Sequence, residues 1–322
     1  MKAIRIHEYG GPEAMRLEDL PTPDAGPGQL LVRLEAAGVN YVDTYQRSGQ
    51  YKVPLPYSLG SEGAGVVEAV GPGVTDIPSG TRVAWAGIPG AYATHALVPA
   101  DKAVPVPPGM DARPAAAVML QGMTAHYLAR STYPLRAGDT CLVHAGAGGV
   151  GLLLTQMAKA AGARVVTTVS TEEKARLSRE AGADDVILYT REDFAETVRR
   201  LTAGRGVEVV YDSVGRDTFD KSLSCLVTRG MLVLFGQSSG AVPPLDPQVL
   251  SARGSLFLTR PTLAHYTLTR EELLGRAGDC FSWMASGTLK VRIGAELPLA
   301  EAARAHEELQ ARRTTGKVLL IP

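Results

Sequence analysis

The strongest chemical signal in the sequence is a glycine-rich turn that follows an apolar run. Gly146, Gly148 and Gly151 match the pattern G-x-G-x-x-G. The run before them, residues 140–145, predicts a buried strand, and residues 149–161 predict a helix. Such a turn lets backbone N–H groups at a helix N-terminus face a pyrophosphate without a side chain in the way. The pattern predicts a dinucleotide site; the alternative is a glycine turn with only a structural role.

The residues after the second predicted strand indicate which dinucleotide binds. NAD enzymes usually carry an acidic residue there, which binds the ribose 2′-OH. This chain has Ser170 and Thr171 instead, and Glu173 fits a capping box with Ser170. Lys174 follows within the first helical turn. Hydroxyls, a helix N-terminus and a lysine suit a 2′-phosphate, so we expect NADPH. The alternative is that Lys174 is an ordinary solvated lysine.

No metal-binding pattern is visible among the residues that commonly bind metals. The six histidines and three cysteines form no H-E-x-x-H motif and no pair of thiols at ligand spacing. Cys141 and His144 would point to opposite faces of a strand, so we expect them to pack in the core. Without a Lewis acid, oxidation of an alcohol is poorly supported. A nicotinamide can still pass hydride to an electron-poor conjugated acceptor, whose own π system takes up the charge.

The elements that position these residues change in character along the chain. Short β-type runs with Gly and Pro turns fill residues 1–120, including 30–35, 65–70 and 82–85, and predict a β barrel or sandwich. Strands at 140–145, 164–169, 185–188, 207–211, 231–235 and 256–258 then alternate with helices at 149–161, 172–181, 194–201 and 217–226. This alternation predicts a doubly wound parallel sheet. Helices are expected at 270–286 and 300–312, and the strand at 317–321 should return to the first domain.

Composition sets outer limits on the function. The length of 322 residues suggests two domains. The 33 basic and 33 acidic residues balance, so the chain has no net positive charge that would attract nucleic acid or anionic lipid. No run of about 18 apolar residues occurs, which argues against a membrane span. The sequence starts with an alternating strand pattern rather than a signal-peptide pattern, and its cysteines show no disulfide framework. We therefore expect a cytoplasmic enzyme.

Nearly the whole chain resembles the zinc-independent medium-chain dehydrogenase/reductases, and among them the zeta-crystallin-like NADPH:quinone oxidoreductases. The matching stretches are 37–45, 59–65, 121–125, the glycine turn, 211–215, 235–240 and 258–261. Zinc-dependent relatives carry a cysteine near Asn40 and a histidine at Ser61, and their structural zinc cysteines are also missing here. The resemblance implies a Rossmann domain at 123–264 and a discontinuous, mainly β, GroES-like substrate domain at 1–122 plus 265–322.

The resemblance also implies roles for individual residues. Asn40, Tyr45 and Tyr51 should line an inter-domain cleft in which nicotinamide meets substrate. Thr124 and Tyr127 should lie near the cofactor at the start of a linking helix. The remaining cofactor contacts implied are Gly146, Gly148, Gly149, Val150 and Gly151 around the pyrophosphate, Ser170 and Lys174 at the 2′-phosphate, Tyr189 near the adenine, Ser213, Phe235, Gly236, Gln237, Ser238 and Ser239 beside the adenosine and the nicotinamide ribose, and Arg260 and Arg312.

The function expected from this resemblance is reduction of a quinone by NADPH, through hydride or electron transfer. A double-bond reductase for enoyl or alkenal substrates is the alternative among enzymes, since both acceptors suit a metal-free site. A non-catalytic NADPH- or RNA-binding protein is the alternative from another class, and the balanced charge disfavours it. A homodimer is also implied, paired through an apolar edge strand near 231–235 or 255–258 that needs covering.

Overall fold

The polypeptide folds into two units, one of which is assembled from two separate stretches. The computed structural model describes all 322 residues. Unit 1 comprises Met1–Met123 and Thr267–Pro322, and unit 2 comprises Thr124–Tyr266. The boundaries expected from the sequence, after residues 122 and 264, differ from this division by one residue and two residues.

The first stretch of unit 1 is built mainly from short antiparallel strands. In chain order its elements are β1 (Lys2–Ile6), β2 (Arg16–Asp19), β3 (Gln29–Val39), α1 (Tyr41–Arg47), β4 (Tyr57–Ser58), β5 (Glu62–Val70), β6 (Arg82–Ala86), β7 (His95–Pro99) and β8 (Val104–Pro105). The helix α2 (Ala112–Tyr127) follows, and its last four residues belong to unit 2. Strand β1 pairs with β2 and β4 in a three-stranded sheet. Apolar side chains such as Leu30, Val32 and Trp85 form the core because alternate residues of each strand face inward.

Unit 2 is a six-stranded parallel sheet flanked by helices. Its elements are β9 (Thr140–Val143), α3 (Gly149–Ala160), β10 (Arg164–Val169), α4 (Glu172–Glu180), β11 (Asp185–Leu188), α5 (Phe194–Leu201), β12 (Val207–Asp212), α6 (Phe219–Ser224), β13 (Leu226–Leu234), α7 (Gln248–Ala252) and β14 (Phe257–Thr259). The strand order is β11-β10-β9-β12-β13-β14, and every neighbouring pair is parallel. This is the doubly wound Rossmann arrangement that the alternating pattern predicted.

The second stretch of unit 1 completes the sheet that the first stretch begins. It contains α8 (Arg270–Ala285), β15 (Ile293–Pro298), α9 (Ala302–Gln310) and β16 (Lys317–Ile321). The larger sheet runs β15-β16-β3-β5-β6-β8, and β7 also pairs with β3. Strand β16 lies antiparallel to β3, with Val318 opposite Val39. The predicted return of residues 317–321 to the first domain is confirmed, as is the discontinuous, mainly β, GroES-like unit.

Several local predictions were wrong. Strand β9 ends at Val143, because Ala145 has a φ of +54° that no strand residue adopts. Strand β13 begins at Leu226 and lies inside the sheet between β12 and β14, so residues 231–235 are not an edge. Thr124 and Tyr127 lie at the end of α2 rather than at the start of a helix. The sequence pattern also did not predict α1, α7 or β15.

Candidate active site

The cofactor contacts expected in unit 2 nearly all follow the carboxyl ends of its parallel strands. The glycine turn follows β9, Ser170 follows β10, Tyr189 follows β11, Ser213 follows β12, residues 235–239 follow β13 and Arg260 follows β14. The chain winds from β9 toward β10 on one side and places β12 on the other, so the winding reverses beside β9. Ligands of open parallel sheets bind at such a reversal, outside the carboxyl ends of the strands.

The glycine turn is shaped by close approaches of the backbone. A Cβ at Gly151 would clash with the carbonyl oxygen of Ala145, and one at Gly146 would lie 2.6 Å from the Thr167 Cβ. Gly148 is the N-cap of α3, with no capping side chain and no acidic residue in the first turn. Gly149 and Val150 in that turn are partly exposed. An uncapped and partly exposed helix N-terminus, with the positive end of its dipole, fits a pyrophosphate.

The segment after β10 carries hydroxyl and cationic groups but no acid at its first positions. The predicted capping box was wrong, because Thr171 rather than Ser170 is the N-cap of α4, and its Oγ1 accepts from the Lys174 backbone N–H at 3.3 Å. Ser170 is therefore not used as the helix cap. The first acidic residue, Glu172, pairs with Arg191 at 2.5 Å. This environment suits a 2′-phosphate better than the ribose hydroxyl of NAD.

Two loops beyond β12 and β13 are joined through the backbone. The Ser238 N–H donates to the Ser213 carbonyl oxygen at 3.1 Å, and the Ser239 N–H donates to that of Val214 at 2.8 Å. Arg260 Nη1 donates to the Leu234 carbonyl oxygen at 3.1 Å, so this arginine supports the end of β13. The structure thus brings Ser213 and residues 235–239 together. Tyr127 stacks on Tyr266 with ring centroids 4.3 Å apart, and Thr124 is buried one turn earlier in the same helix.

The three candidate acceptor-site residues lie together in unit 1, on α1 and the loop that follows it. Asn40 is the N-cap of α1, and Tyr45 is buried in that helix. The Tyr45 and Tyr51 rings meet edge to face at 5.2 Å, and the Tyr51 N–H donates to the Tyr45 carbonyl oxygen at 3.0 Å. Tyr51 is 39% exposed. Arg312 also belongs to unit 1, whereas the other expected cofactor contacts belong to unit 2.

Asn40 is held by a buried ion pair that sequence reasoning missed. Lys317 and Glu62 form a salt bridge with side chains only 1% and 0% exposed. Asn40 Nδ2 donates to Glu62 Oε2 at 2.9 Å, and Asn40 Oδ1 accepts from Lys317 Nζ at 2.8 Å. The other Glu62 oxygen accepts from the Leu120 N–H at 2.6 Å. No local pattern indicates this pair, because its members are 255 residues apart.

A second buried chain of polar side chains begins beside Asn40. Asp43 accepts hydrogen bonds from the Ser61 hydroxyl at 2.8 Å and the Tyr92 hydroxyl at 2.9 Å. Tyr92 also contacts His306 Nε2 at 3.1 Å, and Arg47 contacts His306 Nδ1 at 3.1 Å. Burial raises the pKa of Asp43 to about 6 and, together with Arg47, lowers the pKa of His306 to about 3. Sequence reasoning did not connect these residues either.

The structure has neither a candidate metal-binding cluster nor a helix suited to cross a membrane. No group of three or more His, Cys, Asp or Glu side chains is placed so that it could hold a metal ion. None of the helices has both the length and the apolar character needed to cross a bilayer. Ser61, one of the residues on which the resemblance to the zinc-independent enzymes depended, donates its hydroxyl hydrogen bond to Asp43.

Comparison with known proteins agrees with this architecture. The family description "Alcohol dehydrogenase GroES-like domain" matches residues 26–108, and "Zinc-binding dehydrogenase" matches residues 149–274. The fold and both matches define a medium-chain dehydrogenase/reductase.

Three relatives narrow this class. A quinone oxidoreductase of Pseudomonas aeruginosa is 50% identical, covering 100% of this chain and 99% of the relative. The crystal structure of Escherichia coli quinone oxidoreductase complexed with NADPH has a TM-score of 0.98 and 45% identity, with 100% of both chains covered. A 2-haloacrylate reductase of Burkholderia is 44% identical over 99% of this chain and 98% of the relative. The chain belongs to the quinone oxidoreductase family, and it is an oxidoreductase.

Proposed function

We propose that this protein reduces quinones with NADPH as the electron donor. The observation that carries the proposal is the pair of phosphate-compatible sites in unit 2. One is the uncapped N-terminus of α3 at Gly148, and the other is the segment after β10, where Ser170 and Thr171 precede the first acidic residue and Lys174 follows in the first turn of α4. The NADPH complex of the E. coli relative and the names of the relatives support it. Bound NADPH would supply a hydride, and the residues of this chain would bind and orient it.

The protein contributes binding and orientation to this reaction. Backbone N–H groups of Gly149 and Val150 would hold the pyrophosphate, and Lys174 would compensate the 2′-phosphate charge. Tyr189, which is 40% exposed at the end of β11, would cover the adenine. The edge-to-face pair Tyr45 and Tyr51 offers aromatic surface for a flat acceptor. Protons for the hydroquinone oxygens would come from solvent, so no obligatory proton donor is assigned.

A double-bond reductase is the second candidate function. The 44% identity to a 2-haloacrylate reductase favours it, because that relative's substrate name denotes an alkene conjugated to a carboxylate. Both candidate acceptors accept a hydride at an electron-poor carbon. The two proposals therefore differ in the acceptor and share the cofactor site.

An acceptor panel monitored by NADPH absorbance tests both proposals. The panel contains 1,4-benzoquinone, a 2-enal, an enoyl thioester and 2-chloroacrylate, each with NADPH or NADH. We expect fastest turnover with benzoquinone and NADPH. Equal efficiency with NADH would overturn the cofactor assignment, and exclusive turnover of 2-chloroacrylate would favour the second function. Cofactor binding without oxidation by any acceptor would indicate a non-catalytic binding protein.

The proposal extends to assembly and location. We propose a homodimer paired through β14, which is an edge of the six-stranded sheet and carries Phe257 with 56% exposure. Light scattering at micromolar concentration should give twice the 34.0 kDa chain mass, and a monomer there would refute the dimer. The three cysteines are free and buried, which suits a reducing compartment, and we propose the cytoplasm.

A further inference from the structure

Unit 2 contains a buried row of polar side chains that the proposed function does not use. His144 lies just after β9 and is 1% exposed. Its Nδ1 lies 2.8 Å from Thr168 Oγ1, and its Nε2 lies 2.9 Å from Ser222 Oγ. The Ser222 hydroxyl in turn donates to Asp212 Oδ2 at 2.9 Å. The row therefore joins β10, the turn after β9, α6 and the end of β12.

The chemistry of the row fixes the direction of each hydrogen bond. Asp212 accepts four hydrogen bonds, from the N–H groups of Val214 and Gly215 and from the hydroxyls of Thr218 and Ser222. Because the only proton of Ser222 points at Asp212, Ser222 Oγ must accept from His144 Nε2–H. His144 Nδ1 is then unprotonated and accepts from the Thr168 hydroxyl. In the opposite tautomer the single Ser222 proton would have to serve both His144 Nε2 and Asp212 Oδ2, so one of these two contacts would have no proton.

His144 is also suited to remain neutral. Its ring meets the Phe194 ring edge to face at 4.8 Å, and burial lowers the pKa of His144. A protonated ring would place a second N–H against Thr168, which could accept it only by turning its own proton away from Nδ1. One neutral tautomer thus satisfies every group in the row.

The row ends at the segments that the proposed function assigns to the dinucleotide. The Gly146 N–H donates to the Thr168 carbonyl oxygen at 3.0 Å, which ties the glycine turn to the end of β10. Asp212 fixes the turn that contains Ser213 by accepting from two of its N–H groups, and its carbonyl oxygen accepts from the Phe235 N–H at 2.8 Å. One connected set of hydrogen bonds thereby links the loops after β9, β10, β12 and β13 and fixes their positions relative to one another.

We propose that His144 is a positioning residue for NADPH: as a neutral Nε2–H tautomer it links Thr168 to Ser222 and Asp212, and so holds the glycine turn and the loop at Ser213 ready for the dinucleotide. The inference rests on the proposed cofactor site. Its expected signature is a loss of NADPH affinity without loss of kcat, because the row contacts binding loops and no reacting atom.

The test compares matched substitutions in the full-length protein. His144→Leu removes both hydrogen bonds, His144→Gln retains one donor and one acceptor, and Ser222→Ala breaks the row at a different residue. His306→Leu is the control, because His306 is equally buried but lies in unit 1. We expect the NADPH Kd, from fluorescence titration, to rise about tenfold in His144→Leu and Ser222→Ala. His144→Gln should recover most of the affinity, and His306→Leu should stay within about twofold of wild type.

A second measurement does not depend on cofactor binding. In protein with 15N-labelled histidine, His144 should show a pyridine-type Nδ1 and a pyrrole-type Nε2, unchanged from pH 6 to 8. Titration in that range, or the opposite tautomer, would overturn the proposal. So would an unchanged Kd in both His144→Leu and Ser222→Ala, or an equal loss in His306→Leu. If wild type bound no NADPH while the histidine signature held, the proposed function would fail and the tautomer assignment would stand.

Discussion

The two units differ in that only unit 1 buries a pair of oppositely charged side chains. Unit 1 encloses a full ion pair, Lys317 with Glu62, whose members come from β16 and β5. Unit 2 encloses one carboxylate, Asp212, satisfied by four neutral donors within a segment of 11 residues, 212–222. Removing one partner of a buried pair leaves an uncompensated charge, whereas removing one of four donors leaves the carboxylate mostly satisfied. Stability should therefore depend more on the unit 1 cluster, and cofactor affinity on the unit 2 row.

The largest effect is expected when the ion pair of unit 1 is broken. Lys317→Met leaves Glu62 buried without its counter-charge and should lower the free energy of unfolding by about 3–5 kcal/mol in urea titration. Lys159→Met is the control, because Lys159 pairs with Asp184 at the surface and its loss should cost about 0–1 kcal/mol. Adding Glu62→Gln to Lys317→Met should recover part of the loss. Equal costs for both lysines would remove the contrast between the units.

The next effect concerns the backbone of unit 2. Gly151→Ala places a Cβ against the Ala145 carbonyl oxygen, which should cost about 1–3 kcal/mol and weaken NADPH binding because the glycine turn must shift. Gly278→Ala in α8 is the control, since its Cβ would meet nothing within 4 Å. Urea titration measures the loss of stability, and fluorescence titration measures the loss of NADPH affinity. An alanine at position 151 with wild-type NADPH affinity would contradict the proposed pyrophosphate site.

The buried His306 of unit 1 should make the free energy of unfolding depend on pH in the acidic range. The pKa of His306 is about 3 in the folded state against an ordinary 6.5, so its contribution to stability is lost as pH falls from 6.5 toward 3. Asp43 opposes this, because its raised pKa, about 6 against 3.8, makes stability rise as pH falls from 6 to 3.8. His306→Gln should therefore lose less stability than wild type between pH 6.5 and 4. Parallel urea midpoints for both proteins would contradict this.

The smallest effect is expected at the aromatic pair of unit 1. Tyr45→Phe removes a hydroxyl that could stabilise the developing oxyanion, and one such hydrogen bond is worth about 0.5–1.5 kcal/mol, or about 2–10-fold in kcat. Tyr9→Phe is the control, because it removes the same atom from a tyrosine whose hydroxyl donates to the protein backbone, at the Val53 carbonyl oxygen. Steady-state kinetics with benzoquinone measures both. Complete loss of turnover in Tyr45→Phe with unchanged NADPH affinity would instead require a proton-donor role.

The same comparison explains what could be predicted from the sequence. The elements of unit 2 are defined by sequence signals that extend over only a few residues, namely hydrophobic periodicity and turn residues. The predicted bounds of β10, β11 and α5 therefore coincide with those observed. The cap of α4 was misplaced by one residue because Ser170 and Thr171 both suit an N-cap. In unit 1, neither the Lys317–Glu62 pair nor the Tyr92–His306 contact has a local signal, since their members are 255 and 214 residues apart.

The return of β16 to β3 has a consequence for synthesis on the ribosome. All six strands of unit 2 lie between residues 140 and 259, so that unit can close its sheet while later residues are still being added. The first stretch of unit 1 is synthesised earlier, but its sheet is completed only when residues 317–321 are available. Until then Glu62 lacks its ion-pair partner Lys317, and β3 lacks its neighbouring strand β16. The nascent chain should therefore acquire its dinucleotide-binding half first, with the earlier-made β segments exposed to chaperones in the meantime.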